Sequence, residues 1–213
     1  MGALTSRVWN AVKSFPTTGR RCASRDPLRL PPAAGSFYTC LMEPTVESVF
    51  VDYSIRKFEQ LLPRIRECVG RLNQQQIWMR HGDHENAVGN LLLHIAGNMR
   101  QWIVSAIGGQ PDTRTRDAEF AARGEIDAAE LMGRLESTVA ESIEVLKAMK
   151  PERLMETIQP QKYRVTILEG IYTAVEHFGE HTGQIIFATK LLTGQDMGFY
   201  KHLNKPTHAE KTP

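Results

Sequence analysis

Apolar positions in this chain recur with a helical period in four long runs. From Thr45 to about Leu72, Val46, Val49, Phe50, Tyr53, Phe58, Leu61, Leu62, Ile65 and Val69 form the stripe of an amphipathic helix, which Pro63 should kink. A second run opens near Asn86 and ends at Gly108-Gly109, a strong helix stop. The third spans about Asp127–Met149, with Leu131, Leu135, Val139, Ile143 and Leu146 at helical spacing and Lys150-Pro151 closing it. The fourth runs from Thr166 to Leu192 and stops at Gly194. Nothing alternates well enough to build a sheet, although Gln159–Val165 has an extended character. The pattern predicts an all-α fold, a four-helix bundle over residues 42–200.

Two of these runs carry polar residues where apolar ones would be expected. In the second, Asn90, His94, Asn98 and Gln101 recur every three or four residues beside apolar Leu92, Ile95, Met99 and Trp102. In the fourth, His177, His181 and Gln184 do the same beside Val175, Phe178, Ile185 and Ile186. Unpaired polar groups are costly in a core, so the two stripes are expected to be buried against each other. Residues four apart lie one turn apart, roughly 6 Å, so His177 and His181 can converge on one cation. Paired histidines at this spacing also arise on ordinary helix faces, and a lone core histidine is usually just hydrogen-bonded. His94, interrupting the apolar Leu91–Ile95, favours the metal reading. Three neutral imidazoles leave a coordination position open for water or substrate, as catalytic zinc-type sites do. Asn98 and Gln184 are placed to hydrogen-bond the ligands or a substrate, or equally to bridge helices. Gly179 and Gly183 permit close helix approach beside the site.

Charge divides the chain. Residues 1–41 hold six Lys/Arg and one acid, a local +5, which leaves 20 basic and 23 acidic residues in the remaining 172. The sequence pI of 8.5 therefore describes the leader more than the fold. The core has no basic stripe interleaved with aromatics, so nucleic-acid binding is not expected. Pro16, Gly19, Pro27, Pro31, Pro32 and Gly35 break up the leader, whose expected state is a disordered basic extension. Its composition also fits an organelle transit peptide, and a third reading has translation begin at Met42. Residues 201–213 read as a polar tail. No secretory h-region and no run of ~20 apolar residues is present, so no membrane is expected. Cys22, Cys40 and Cys68 are too scattered for a disulfide framework or thiolate zinc site, and the core is expected to be cytoplasmic, with Cys68 a buried thiol.

The connection Gln110–Gly124 is long, polar and charged, as functional loops in compact domains often are. His81 and His84 lie in a Gly/Asp-containing turn without a third ligand and read as surface residues, as do His202 and His208. His177-Phe-Gly-Glu-His181 also has the spacing of inverted zinc peptidases, but these need a further carboxylate downstream. Only Asp196, just beyond the fourth helix, and Glu210, in the polar tail, are available. Paired Glu-x-x-His motifs of di-iron bundles are absent.

The segments Asn90-Leu-Leu-Leu-His94-Ile-Ala-Gly-Asn-Met-Arg-Gln-Trp102 and Glu176-His-Phe-Gly-Glu-His-Thr-Gly-Gln184 together resemble the DinB/YfiT-like superfamily of metal-binding four-helix proteins, over roughly Glu43–Tyr200. One histidine in the second helix followed by His-x-x-x-His in the fourth is the most telling agreement. The resemblance implies that His94, His177 and His181 ligate a divalent metal, zinc or nickel, and that the protein is a homodimer. Characterised members include transferases that attach low-molecular-weight thiols to electrophilic small molecules, with isomerases among their relatives. The superfamily is mainly bacterial, which argues against a transit peptide. The implied mechanism is activation of water or a thiol by the metal as Lewis acid. Glu180, beside His181, is a candidate general base, although adjacent helix residues point about 100° apart and solvent exposure is as well supported. The competing reading is a non-enzymatic, metal-stabilised binding or stress-response module.

Overall fold

The computed structural model describes residues 43–204. The expected extension over residues 1–41 lies outside the described residues. The expected tail begins with a 3-10 turn at Lys201–Asn204, and its remainder, 205–213, lies outside them too.

The described residues are all-α apart from one very small sheet. Helix α1 (Val46–Val69) starts where the Thr45 hydroxyl accepts the Ser48 N–H at 3.2 Å, and it remains one helix through Pro63. A single turn, α2 (Gln74–Ile77), follows, fixed by a capping box between Asn73 and Gln76. Helix α3 (Val88–Met99) passes directly into a π-helical segment, Arg100–Ser105. There the Ala106 N–H reaches the Gln101 carbonyl at 3.1 Å and the Gly108 N–H reaches that of Ile103 at 2.9 Å. A short α4 (Arg116–Ala121) lies inside the connection that reads as loop, and α5 (Ala128–Ala148) begins at Asp127, whose carboxylate accepts the Glu130 N–H at 2.8 Å.

After a 3-10 turn at Pro151–Met155, strands β1 (Thr157–Ile158) and β2 (Val165–Thr166) pair antiparallel, Thr157 opposite Thr166 and Ile158 opposite Val165. Of the stretch Gln159–Val165, expected to be extended, only Val165 lies in a strand; residues 159–164 form the turn that joins the two strands. Thr166 then caps α6 (Ile167–Thr193) through a capping box with Glu169. The helix ends at Gly194, whose φ of 67° lies in the left-handed region that glycine enters without a Cβ penalty. The long helices thus match their expected spans to within a few residues.

Helices α1 and α3 both pack against α5 and α6. Phe58 and Ile65 of α1, Leu92, Ile95 and Met99 of α3, Leu131, Leu135 and Leu146 of α5, and Phe178 of α6 are fully buried between them. Each contributes about 1.5–3 kcal/mol of transfer free energy before entropy is counted. The Phe58 and Phe178 rings meet edge to face at 5.4 Å and pin α1 to α6. Cys68 is buried as expected, and that burial raises its thiol pKa. No helix among the described residues is long and apolar enough to cross a membrane.

Candidate metal centre

The i, i+4 spacing on α6 puts His177 and His181 one turn apart, with their rings 4.3 Å apart and nearly perpendicular. Helix α3 brings His94 opposite them. The His177 Nε2 lies 3.0 Å from the His94 Nε2 and 3.0 Å from the His181 Nε2, and ligand nitrogens of all three lie within 4.8 Å of one another. Two nitrogens bound to one tetrahedral zinc, each at about 2.05 Å, would stand about 3.3 Å apart. The three histidines could therefore hold a metal ion. An all-imidazole set suits zinc, nickel, copper or iron and not the hard, oxygen-seeking magnesium or calcium.

Two of the three outward nitrogens have partners of the kind that orient a ligating histidine. His94 Nδ1 lies 3.0 Å from Glu119 Oε2, and His181 Nδ1 lies 2.6 Å from Gln184 Oε1. Arg114 Nη2, a donor, lies 3.0 Å from the same His94 nitrogen; in the tautomer that donates from Nδ1 to Glu119 and Gln184, the Nε2 lone pairs of His94 and His181 face the cluster. His177 Nδ1 is buried without a partner. Burial, then the nearby His181, His94 and Arg114, pull the His177 pKa down to about 3, with Glu119 acting in the opposite sense. Burial likewise lowers that of His181, and His94 adds to the shift while Gln184 and Glu180 oppose it. Both histidines are thus held neutral, the form that ligates.

Glu119 is the residue of the candidate site that sequence reasoning missed. It lies on α4, and Arg114, just before that helix, grips both of its oxygens at 2.7 and 2.8 Å. The Arg114 side chain is only 3% exposed. Burial alone would raise the Glu119 pKa, but the bonds from Arg114 and His94 outweigh it and hold the carboxyl below its usual value. Arg114 also donates to Gln101 Oε1 at 2.9 Å, and Gln101 donates to Asp112 at 2.7 Å. The pair needs Gly97: a Cβ there would overlap the Glu119 carboxylate.

The polar stripe of α3 is therefore divided. His94 meets the histidines of α6 as expected, whereas Asn90 and Gln101 bond to the 110–124 connection. Asn90 Nδ2 donates to the Glu119 and Ala122 carbonyls at 2.9 and 3.1 Å. The charged composition of that connection was the available signal, but it did not single out Glu119.

Beside the histidines lies a cleft of about 660 Å³, lined among others by His94, His177, Asn98, Trp102, Arg114, Arg116 and Tyr163. Asn98 is buried at its wall, and Asn98 Oδ1 has no partner among the described residues. Gln184 and Glu180 are exposed; Gln184 bonds His181, while Glu180 stands outside the histidine cluster. His81 and His84 are exposed in their turn, and among the described residues the His81 ring pairs only with Glu85; His202 is exposed, and His208 lies outside the described residues.

The fold and site define an all-α protein with a three-histidine candidate metal centre. The chain belongs to the family described as protein of unknown function DUF1572, which matches residues 45–206. A comparison with curated proteins found no match. Among solved structures, the chain is similar to a conserved protein of Enterococcus faecalis, at 17% identity and a TM-score of 0.56, over 68% of this chain and 98% of that one. At this identity the likeness concerns the fold.

Proposed function

We propose that His94, His177 and His181 hold one divalent ion, zinc or nickel, in a DinB-like four-helix bundle, and that the protein is a transferase joining a low-molecular-weight thiol to an electrophilic small molecule. The observation that carries this reading is the convergence of three imidazoles at the edge of a cleft large enough for a small ligand. A bound ion supplies a Lewis acid that lowers the pKa of a thiol or water at its free position. The chain's own residues position the ligands and shape the space: Glu119 orients His94, Gln184 orients His181, and Trp102 with Tyr163 walls the cleft. A homodimer accompanies the DinB-like reading.

The second reading, a metal-stabilised binding or stress-response module, draws on the cleft wall, which includes no carboxylate to act as general base. Elemental analysis tests the metal centre. About one divalent ion per chain is expected, lost as completely in His94→Ala as in His177→Ala or His181→Ala; full content in the His94 variant would refute the site. Screening small thiols against an electrophile panel, metal-loaded and metal-free, then separates the two readings. Absence of any metal-dependent product would leave the binding module standing.

A further inference from the structure

The cleft beside the histidines has a one-sided charge. Its charged lining residues besides the histidines are Arg114 and Arg116, and they differ in kind. Arg114 is buried and already bonded to Glu119 and Gln101, so its charge is compensated within the protein. Arg116 is exposed and has no ion-pair partner within 4.0 Å among the described residues. Its guanidinium sits 4.8 Å over the Phe120 ring, and that ring in turn lies 4.6 Å from the His94 ring. A fork of N–H donors without an ion pair among the described residues thus stands at the wall of the cleft, two ring contacts from the histidine cluster.

Two further lining residues carry buried polar atoms that no described protein group satisfies. Asn98 and Trp102 are each 6% exposed, and both Asn98 Oδ1 and Trp102 Nε1 lack a partner. Leaving such groups unpaired costs free energy, so this wall of the cleft is polar beneath its surface. Tyr163 stacks on Trp102 at 6.1 Å and 30° but is itself 59% exposed, which gives a flat apolar wall next to these groups.

We propose that the cleft selects a small organic oxyanion, a carboxylate or phosphate, with the anionic group on Arg116 and the carbon frame against Tyr163. This deepens the transferase reading by giving its substrate a charge, and it rests on that reading only in taking the cleft as the substrate site.

The test uses the full chain as purified with its metal and three matched probes: benzoate, phenylphosphate and the neutral benzamide. Binding is followed by calorimetry and tryptophan fluorescence. Benzoate or phenylphosphate is expected to bind about tenfold or more tightly than benzamide, and which of the two is preferred identifies the anion. Arg116→Gln should remove most of that preference and Arg116→Lys should retain part of it, with the metal content of both variants unchanged. Added salt should narrow the preference, because Arg116 is exposed. Equal binding of benzamide and the anions, no binding of any probe at millimolar concentration, or a full preference in Arg116→Gln would each overturn the proposal. The last result would place the anion on another group, such as the metal. A chain that prefers anions through Arg116 but contains no metal would overturn the metal centre and leave the oxyanion cleft intact.

Discussion

Glu119 accepts from Arg114 on both oxygens and faces His94 with one, so its charge serves two contacts that experiments can separate. Glu119→Gln keeps the size and weakens the acceptor at His94 Nδ1. Metal affinity measured by chelator competition should fall about 10- to 100-fold, the usual cost of losing such a partner, while the ion count at saturation stays at one. An unchanged affinity would show that His94 orients itself without the carboxylate. His177 gives a pH prediction. Its pKa is about 3 in the folded chain against an ordinary 6.5, so between those values the unfolded chain binds more protons. Metal-free protein should therefore lose stability as pH falls from about 6.5 towards 3, and Glu119, whose pKa is also lowered, adds to the loss at the acid end. Urea unfolding of chelated protein across this range should show a shallower slope in His177→Gln than in the parent.

At the scale of elements, α4 supplies the carboxylate that backs His94. Gly97 is where α3 makes room for it, and Gly97→Ala would push its Cβ into the Glu119 carboxylate. Overpacking of this kind typically costs about 1–3 kcal/mol, and here chelator competition should also show weaker metal binding. By contrast, Thr166→Ala removes only the cap of α6, costing about 1 kcal/mol with the metal count unchanged. If both variants behaved alike, the close approach at Gly97 would not be special. These elements also show what was legible in the sequence. The long helices announced themselves through many apolar repeats, and the histidines through a four-residue spacing that survives any packing of α6. Helix α4 has six residues, too few for periodicity to register, and Glu119 contacts a histidine 25 positions away. The π-helical turns after Met99 leave the apolar pattern nearly intact, so nothing in it distinguishes them from ordinary helix.

For the whole molecule, the histidine cluster links α3 to α6 across the core, so a bound ion should stabilise the entire fold. With an ion at about 100 times its dissociation constant the gain is about 2.7 kcal/mol, and the melting temperature should climb with metal concentration in the parent but not in His94→Ala. A parent melting curve indifferent to metal would argue that the ion binds folded and unfolded chains alike. The buried Arg114 has one more consequence, for proteolysis. Trypsin must draw an arginine side chain into its own specificity pocket before it cuts, so the bond after Arg114 is a latent cleavage site beside the accessible Arg116 and Arg123. A fragment ending at Arg114 would act as a clock for each opening of the clasp around His94, readable by mass spectrometry on a mixture without any knowledge of the substrate.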